Sequence, residues 1–391
     1  MMKYDLVVIG GGIHGAGIAQ AAAARGFSVL VLEQNSLASG TSSRSSKLIH
    51  GGLRYLESGQ FGLVRECLQE RALLLKLAPD LVRLQPFYIP VYRNTTRRPW
   101  QLRAGLSLYA MLGGMDKATR FHALPRQAWT NLDGLDTTQL QGVFQYWDGQ
   151  TDDAALTRAV MHSAQELGAQ LSMPSTFAGA EIGAQGCTVH YTHNGQTQTC
   201  EASVLVNAAG PWVNHVLDKI TPPPAQLNVE LVQGTHIIVG GEITQGIYYV
   251  EAPRDQRAVF VMPWQGKIMV GTTETTYHGD PAAVQPLPGE KNYLLETLTH
   301  YFPFYRSLRQ GDILSAFAGL RVLPSGTGTA FGRPRDTTLH TGLPGSPRLL
   351  TVYGGKLTAY RITAERVLQR IAPALPPRKI IANTCTLKLR A

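Results

Sequence analysis

The fold is decided by a stretch near the start of the chain, Tyr4-Asp-Leu-Val-Val-Ile-Gly-Gly-Gly-Ile-His-Gly15. Its β-branched apolar residues predict a strand from Tyr4 to Ile9, which leads into a glycine turn. The Ala-rich residues after the turn predict a helix that stops at Gly26, and the apolar run from Val29 to Leu32 predicts a second strand. This order of strand, turn, helix and strand indicates an α/β fold.

The glycines of the turn carry a binding pattern. Gly10, Gly12 and Gly15 form Gly-x-Gly-x-x-Gly: the first permits the tight turn, the second lets a pyrophosphate approach the backbone, and the third allows close helix packing. The pyrophosphate is expected at the helix N-terminus, where N–H groups favour an anion. Glu33, which closes the second strand, can accept hydrogen bonds from ribose hydroxyls. The sequence therefore predicts a Rossmann-like dinucleotide site, although this pattern alone does not separate FAD from NAD.

The composition fits a globular protein with an anionic partner. The 391 residues include 44% apolar and 16% charged side chains, and the length favours two domains. The formal net charge of +9 points to nucleic acid, anionic lipid or a phosphorylated metabolite. Nucleic acid is the least favoured of these, because the sequence has no Lys/Arg run and no known nucleic-acid motif.

The number and spacing of the cysteines indicate the cellular compartment in which the protein is expected. Cys67, Cys187, Cys200 and Cys385 form no Cys-x-x-Cys pair and no metal-ligand spacing with histidine. No metal site is therefore expected, and the expected location is the reducing cytoplasm. No cleaved signal peptide is expected, because the chain runs at once into a strand that the fold needs. No apolar stretch reaches the roughly 18 residues of a transmembrane helix.

Apolar runs and their periodicity predict further elements. Strands are expected at Val204 to Asn207, Leu231 to Val239, Val259 to Met262, Ile268 to Gly271 and Leu349 to Tyr353. Helices are expected at Gly62 to Leu77, Ala154 to Leu167, Lys291 to Tyr301 and Lys356 to Ile371. Because strands that lead into Gly-rich turns lie at opposite ends of the chain, one domain is expected to be built from separated segments, with another domain inserted between them.

The segment after the second strand separates the two cofactors. It is Ser39-Gly-Thr-Ser-Ser-Arg-Ser-Ser-Lys-Leu-Ile-His-Gly-Gly-Leu-Arg-Tyr55, which resembles the second flavin-contacting segment of FAD-dependent glycerol-3-phosphate dehydrogenases. Further segments resemble that family in the same order: Val204-Leu-Val-Asn-Ala-Ala-Gly-Pro-Trp212, Gln233-Gly-Thr-His236, Val270-Gly-Thr-Thr-Glu274, Gly319-Leu-Arg-Val-Leu-Pro324 and Gly354-Gly-Lys-Leu-Thr-Ala-Tyr-Arg361. The resemblance covers nearly the whole chain and implies FAD as the cofactor.

The resemblance implies the amino-acid-oxidase-like flavoprotein fold, with a discontinuous FAD-binding domain and an inserted, sheet-based α+β substrate domain. The expected FAD-binding domain covers residues 1–85, 149–225 and 330–375, the substrate-binding domain covers 86–148 and 226–329, and a C-terminal tail covers 376–391. Two departures from the family's pattern stand out. The family usually carries a further C-terminal helical domain, and this chain ends about where it would begin. Glu274 stands where the family typically has Asp.

The same resemblance implies the residues that contact FAD. His50 is expected to line the flavin, although in some relatives of this flavoprotein class a histidine in a similar segment is attached to it covalently. A helix that begins near Lys356 is expected to direct its N-terminus at the flavin, where its dipole would stabilise the reduced form. The predicted cofactor residues are Gly10, Gly12, Ile13, His14, Gly15, Glu33, Gln34, Thr41, Ser42, Ser43, Ser46, Lys47, Leu48, His50, Gly51, Ala209, Gly210, Trp212, Gly355, Lys356, Leu357 and Thr358.

Four residues are expected to bind an anionic substrate. The resemblance places Arg54, Arg335 and Lys356 around its phosphate, and Tyr55 is expected to contact the substrate. Arginine offers planar paired donors and lysine a compact charge, which suits a group with up to two negative charges. For any single arginine an ordinary surface ion pair is the simpler explanation, so the prediction depends on the motifs that the cations share.

Oxidation of a secondary alcohol by flavin needs hydride transfer to the flavin N5 and a base that takes the hydroxyl proton. His236 is the expected base, because histidine titrates near neutral pH. Arg321 is expected to stabilise the developing alkoxide, and Glu274 is the other candidate base. A purely structural strand histidine is the alternative for His236.

The predicted function is the oxidation of sn-glycerol 3-phosphate, or a closely related phosphorylated polyol, to dihydroxyacetone phosphate, with electrons passed to a quinone. Two alternatives stay open. An amino-acid or amine oxidase of the same fold would bind a carboxylate through one dominant arginine rather than a cationic cluster. A non-catalytic flavin-binding protein would lack proton-transfer residues, yet His236, Glu274 and Arg321 are present. The sequence also leaves a homodimer open.

One segment bears on location, Arg97-Arg-Pro-Trp-Gln-Leu-Arg-Ala-Gly-Leu-Ser-Leu-Tyr-Ala-Met-Leu112. Helical spacing puts four apolar residues on one face: Leu102, Leu106, Tyr109 and Leu112. Trp100 and the arginines suit a lipid headgroup boundary, so the segment is a candidate for peripheral attachment to the inner face of the cytoplasmic membrane. The alternative is that this face covers the substrate domain.

Overall fold

The computed structural model describes residues 2–325, 337–343 and 347–390. Its helices are α1 (Ile13–Ala24), α2 (Phe61–Leu77), α3 (Pro99–Leu112), α4 (Asp153–Glu166), α5 (Val213–Leu217), α6 (Pro288–Tyr301) and α7 (Tyr360–Ile371). Its strands are β1 (Met2–Ile9), β2 (Val29–Leu32), β3 (Leu48–Ile49), β4 (Val82–Tyr92), β5 (His122–Ala123), β6 (Leu140–Thr151), β7 (Gln170–Ser172), β8 (Ser175–Ile182), β9 (Cys187–His193), β10 (Gln196–Asn207), β11 (Ile220–Thr221), β12 (Val229–Val239), β13 (Ile247–Glu251), β14 (Ala258–Trp264), β15 (Lys267–Gly271), β16 (Thr275–Tyr277), β17 (Ile313–Pro324), β18 (Thr338–His340) and β19 (Leu349–Tyr353). Each strand and helix expected from the sequence has a counterpart here.

The first sheet has the order β11-β8-β9-β10-β1-β2-β7, with β19 beside β10 and β18 beside β19. β1 lies parallel to both β10 and β2, and β19 lies parallel to β10. These strands read as continuous apolar runs because they are covered on both faces. Helix α1 packs against α4 and α7, and its Ala and Gly residues let these neighbours approach closely. A Cβ on Gly17 would lie 2.6 Å from the Tyr360 ring.

The second sheet has the order β16-β12-β15-β14-β13-β4-β6-β3, with β17 beside β12 and β5 beside β6. One edge of β12 has two successive partners, β15 opposite His236–Val239 and β16 opposite Leu231–Gln233. Between them the chain passes through residues 272–274, outside both strands. Helix α6 packs on β12, β14 and β15. The predicted α/β class is confirmed, while the residue boundaries of the two predicted domains stay a prediction.

Helix α3 forms where the sequence predicts it, but its apolar face is turned into the protein. Leu102, Leu106 and Tyr109 are buried and pack in one cluster with Phe144 and Tyr146. Of the two alternatives, the covering helix is therefore the right one, and these side chains are not available to lipid. No helix in the described residues is both long and apolar enough to cross a membrane.

The helix expected from Lys356 begins four residues later than predicted, at Tyr360. Gly354 and Gly355 have φ angles of +70° and +111°, outside the helical region, and a turn follows in which Ala359 N–H donates to the Lys356 carbonyl. Lys356, Leu357 and Thr358 therefore lie in the turn that precedes the helix, not in its first turn.

Candidate active site

One cavity of about 410 Å³, with walls from both sheets, brings most of the predicted site residues together. The predicted residues that line it are Gly10, Gly12, Ile13, His14, Glu33, Gln34, Thr41, Ser42, Ser46, Leu48, His50, Arg54, Tyr55, Ala209, Gly210, Trp212, His236, Glu274, Arg321, Gly355, Lys356, Leu357 and Thr358. Gly15, Ser43, Lys47 and Gly51 lie behind this lining. Arg335 falls outside the described residues.

Three glycines shape the turn between β1 and α1. Gly10 has a φ of +106°, and a Cβ there would lie 2.7 Å from the Ala208 carbonyl oxygen. A Cβ on Gly15 would lie 1.8 Å from the Gly10 carbonyl oxygen, so glycine is needed here for the close packing of the helix on the turn. Gly12 has an ordinary φ of −79°, and its Cβ would meet only Ser42 Oγ, 3.1 Å away, among the described residues. The space beside the Gly12 Cα is thus open to the cavity, so a pyrophosphate could approach the backbone there.

Glu33 is buried at the carboxyl end of β2. Its Oε2 accepts from Gly11 N–H at 2.7 Å, and its Oε1 accepts from Asn35 N–H at 2.8 Å. A carboxylate has about four lone-pair sites, so these bonds fix the group at the cavity wall and leave acceptors for ribose hydroxyls.

The serine-rich segment after β2 is fastened at both ends, and only part of it lines the cavity. Ser42 Oγ accepts from Ile13 N–H at 2.9 Å, which joins the segment to the start of α1. The Lys47 ammonium binds the buried Asp153 carboxylate at 2.6 Å and the Ser43 carbonyl oxygen at 2.5 Å. The Lys47 ammonium and the Ser43 carbonyl thus hold the segment together, and the expectation that these two residues contact the cofactor stays a prediction.

Gly51 also lies behind the cavity wall rather than on it. Its N–H donates to the Tyr109 hydroxyl at 2.9 Å, and that hydroxyl donates to Asp148 Oδ2 at 2.7 Å. His50 does line the cavity, and its N–H donates to Thr358 Oγ1 at 3.2 Å. This bond joins two segments that are 308 residues apart.

His14 and Gly355 lie in contact with each other in the cavity wall. A Cβ on Gly355 would lie 2.1 Å from His14 Nε2. Only glycine at position 355 therefore allows the turn before α7 to pack against the His14 ring. Burial lowers the pKa of His14 to about 4, and its Nδ1 has no hydrogen-bond partner among the described residues. The ring is therefore neutral at physiological pH.

His236 lies on β12 and is 1% exposed. Its Nε2 is 2.9 Å from Ser46 Oγ, and its ring stacks on Phe317 with centroids 4.8 Å apart. Burial lowers its pKa to about 3, with further lowering by the positive charges of Arg321 and Lys47. The expectation that this histidine titrates near neutral pH is therefore wrong, and the ring is a neutral imidazole throughout the physiological range.

Glu274 and Arg321 form a pair beside His236. Arg321 Nη1 lies 3.4 Å from Glu274 Oε1, and Arg321 Nη2 donates to Thr272 Oγ1 at 3.2 Å.

Arg257 is a cavity residue that the sequence did not predict. Its Nη1 donates to the Glu274 carbonyl at 3.1 Å, and it pairs with Asp255 at 2.6 Å. No motif marks this arginine, which lies directly before β14 and reaches the site through the fold.

The predicted substrate cations meet at Tyr55. Lys356 Nζ lies 3.8 Å from the centroid of the Tyr55 ring, and the Arg54 guanidinium lies 5.7 Å from it. The Lys356 ammonium is buried and has no hydrogen-bond partner among the described residues. A buried ammonium without an acceptor is costly, so this arrangement favours an anionic ligand.

The polar groups of the cavity fit FAD. The open space at Gly12, the oriented Glu33 carboxylate and the unpartnered His14 Nδ1 would hold the dinucleotide part and its flavin. Arg321, Glu274, His236 and Lys356 line the same cavity, where a substrate would meet the cofactor.

Comparisons with known proteins agree with this geometry. The family model described as FAD dependent oxidoreductase matches residues 5–361. The glycerol-3-phosphate dehydrogenase of Pseudomonas aeruginosa is 40% identical over 376 residues, 95% of this chain and 72% of that protein. The D-erythritol 1-phosphate dehydrogenase of Brucella abortus is 39% identical over 378 residues, 95% of this chain and 74% of that protein. The structure of the glycerol-3-phosphate dehydrogenase from Bacillus halodurans complexed with FAD is similar with a TM-score of 0.77 and 28% identity, covering 99% of this chain and 68% of that one. The chain therefore belongs to the FAD-dependent oxidoreductases, within the family of the glycerol-3-phosphate dehydrogenases.

Proposed function

We propose that the chain oxidises sn-glycerol 3-phosphate, or a closely related phosphorylated polyol, to the corresponding ketone, which for glycerol 3-phosphate is dihydroxyacetone phosphate. The observation that carries this proposal is the buried Lys356 ammonium, which shares the Tyr55 ring with Arg54 and has no hydrogen-bond acceptor among the described residues. A phosphate would supply acceptors to both cations. The names of two relatives, one for glycerol 3-phosphate and one for D-erythritol 1-phosphate, support the same substrate class.

Bound FAD would supply the acceptor for the hydride and its two electrons. The chain's own residues supply the rest. Arg54 and Lys356 would hold the phosphate and so place the reacting carbon. The neutral His236 ring has a lone pair that can take the hydroxyl proton, and Ser46 fixes the orientation of the ring. Arg321 would stabilise negative charge on the substrate oxygen as the proton leaves.

The cavity disfavours the two alternative functions. An amino-acid oxidase predicts one dominant arginine for a carboxylate, whereas Arg54, Arg257, Arg321 and Lys356 all line this cavity. A protein that had lost turnover would not need a neutral histidine beside an Arg–Glu pair. These features favour oxidation of a phosphorylated substrate.

Reduction of a dye by the purified protein tests the proposal, with glycerol 3-phosphate, D-erythritol phosphates, glycerol, amino acids and sulfonated polyols compared as substrates. We expect turnover with phosphorylated polyols and little with glycerol or amino acids. Preferential turnover of an amino acid would overturn the proposal.

Replacement of Arg54 or Lys356 is expected to raise KM for phosphorylated substrates but not for uncharged ones. Arg54→Ala and Lys356→Met should each raise KM for glycerol 3-phosphate by about 10-fold or more, since each removes a charge-assisted contact. KM for glycerol and the FAD content should stay within about twofold of wild type. Steady-state kinetics on both substrates measure the split, with Arg65→Ala, an exposed arginine on α2, as the control. Equal losses on both substrates would show that these cations do not bind phosphate.

We further propose that electrons pass to a quinone and that the protein attaches peripherally to the membrane. The buried face of α3 cannot serve, but the opposite side of the helix and the turn after it expose Trp100, Met111 and Met115 by 70%, 61% and 61%. Arg98 and Arg103 are exposed on the same segment. Exposed apolar side chains among arginines, on a protein with a net charge of +9, suit an anionic lipid surface.

Vesicle co-sedimentation is expected to reveal this surface. The wild type should bind vesicles that contain anionic lipid at low salt and dissociate as salt rises. The double variant Trp100→Glu and Met111→Glu should lose most of this binding, because it places two charges at the lipid boundary. Phe304→Glu is the matched control, since Phe304 is 83% exposed and lies far along the chain on a different element. A wild type that stays in the supernatant at low salt would contradict the membrane proposal.

A further inference from the structure

Glu290, on the first turn of α6, is a buried carboxylate that the proposed chemistry does not use. It is 7% exposed and accepts five hydrogen bonds. Three end on Oε2, from Thr235 Oγ1 at 2.6 Å, Gln233 Nε2 at 2.6 Å and Leu287 N–H at 3.1 Å. Two end on Oε1, from Thr273 Oγ1 at 2.8 Å and Thr275 Oγ1 at 2.9 Å.

Three of these five donors are direct neighbours in sequence of the candidate catalytic residues. Thr235 precedes His236, while Thr273 and Thr275 lie on either side of Glu274. This is the place where one edge of β12 changes partner from β15 to β16. At this break the Thr235 N–H donates to Thr273 Oγ1 at 2.9 Å, so side chains connect the two segments where regular strand pairing is interrupted.

Burying the Glu290 carboxylate is costly in free energy, so stability alone does not explain why a carboxylate is placed here. All five donors are neutral, and a buried carboxylate is tolerated only when hydrogen bonds replace its hydration. The same carboxylate also accounts for one threonine in each of two segments, Thr235 in Gln233-Gly-Thr-His236 and Thr273 in Val270-Gly-Thr-Thr-Glu274. Thr235 and Thr273 do not line the cavity, and their hydroxyls are directed instead at Glu290.

We propose that Glu290 is a positioning residue, which fixes His236 and Glu274 relative to each other through the three threonines. Its side chain is not part of the cavity lining, so it acts through the residues that it holds. The inference rests on the proposed function for its effect on turnover, whereas its effect on the His236 ring is independent of the substrate. Small displacements of reacting groups have large effects on rate. Loss of the hydrogen bonds between Glu290 and the threonines should therefore slow turnover more than it weakens substrate binding.

The test uses Glu290→Gln, which keeps the size of the side chain but replaces one acceptor oxygen by a donor. We expect kcat with glycerol 3-phosphate to fall by about 10-fold to 100-fold. KM and FAD content should stay within about twofold of wild type. In ¹⁵N-histidine-labelled protein the ring resonances of His236, assigned from their loss in His236→Asn, should shift. Glu296→Gln is the control, because Glu296 is on the same helix, its side chain is 43% exposed, and it pairs with Arg254.

A second pair of variants keeps the inference testable if Glu290→Gln does not fold. Thr273→Val removes the hydroxyl at nearly constant volume, and Thr273→Ser keeps it. The valine variant should reproduce the shift of the His236 resonances, and the serine variant should restore the wild-type positions. Resonances that stay at wild-type positions in both Glu290→Gln and Thr273→Val overturn the inference, whatever the turnover. Shifted resonances in a protein that oxidises no phosphorylated polyol would support it and refute the proposed function instead.

Discussion

A Gly12→Val variant is expected to fold like the wild type and to be purified without FAD. Gly12 has an ordinary backbone conformation, so a side chain there does not strain the turn, and its Cβ meets only Ser42 Oγ at 3.1 Å among the described residues. The valine methyl groups would instead enter the part of the cavity where the pyrophosphate must approach the backbone. We expect the affinity for FAD to fall by at least about a hundredfold, or about 2.7 kcal/mol.

The flavin absorbance after incubation with excess FAD and desalting measures the loss, and circular dichroism reports the fold. Gly15→Ala is the informative contrast. Its Cβ would lie 1.8 Å from the Gly10 carbonyl oxygen, so this smaller substitution should damage the fold itself. A yellow Gly12→Val protein with a full complement of FAD would contradict the assignment of this turn, as would a colourless wild type.

His236→Asn is expected to slow flavin reduction by about 10²-fold, the low end of the usual contribution of a positioned general base, because a pKa of about 3 makes the ring a weak proton acceptor. Asparagine keeps a polar side chain beside Ser46 but cannot take up a proton. Stopped-flow reduction by glycerol 3-phosphate in the absence of an acceptor isolates this step. His162→Asn, on the exposed side of α4, is the matched control and should react like the wild type.

The pH dependence of this loss follows from burial. A base works only in its neutral form, and burial together with Arg321 and Lys47 lowers the pKa of His236 to about 3. The histidine therefore stays competent as the pH falls from 8 to 5, and its function is lost only nearer pH 3. The ratio of wild-type to variant rates should be constant between pH 5 and 8. A ratio that declines towards pH 5 would mean that His236 is protonated there and that its surroundings are more polar than the structure indicates.

The sequence was sufficient for the parts of the site that depend on local geometry. The glycine turn, Glu33 and the segment around Ser42 could be predicted because backbone conformation and pyrophosphate binding impose a fixed spacing on neighbouring residues. The segments that resemble the family also predicted that Lys356 and Arg54 would meet, although 302 residues separate them.

Properties set by distant partners could not be predicted in this way. The ion pair of Lys47 with Asp153 joins residues that are 106 positions apart, and no local pattern predicts it. The pKa of His236 depends on complete burial, which a strand pattern does not reveal. The periodicity of α3 correctly gave the amphipathic helix, but lipid and protein interior select the same apolar face, and only tertiary packing decides between them.

The pairing of β1 with β10, of β10 with β19 and of α1 with α7 has a consequence for biosynthesis. While the chain emerges from the ribosome, β1 and α1 must wait for partners that are synthesised more than 170 and 330 residues later. At ordinary translation rates this delay lasts tens of seconds, during which the apolar N-terminal strand has no completed sheet. The elements between β4 and β17 are translated earlier and can assemble first. The cavity expected to hold FAD is therefore complete only after residues 349–371 have been synthesised, so capture of FAD must follow their emergence from the ribosome.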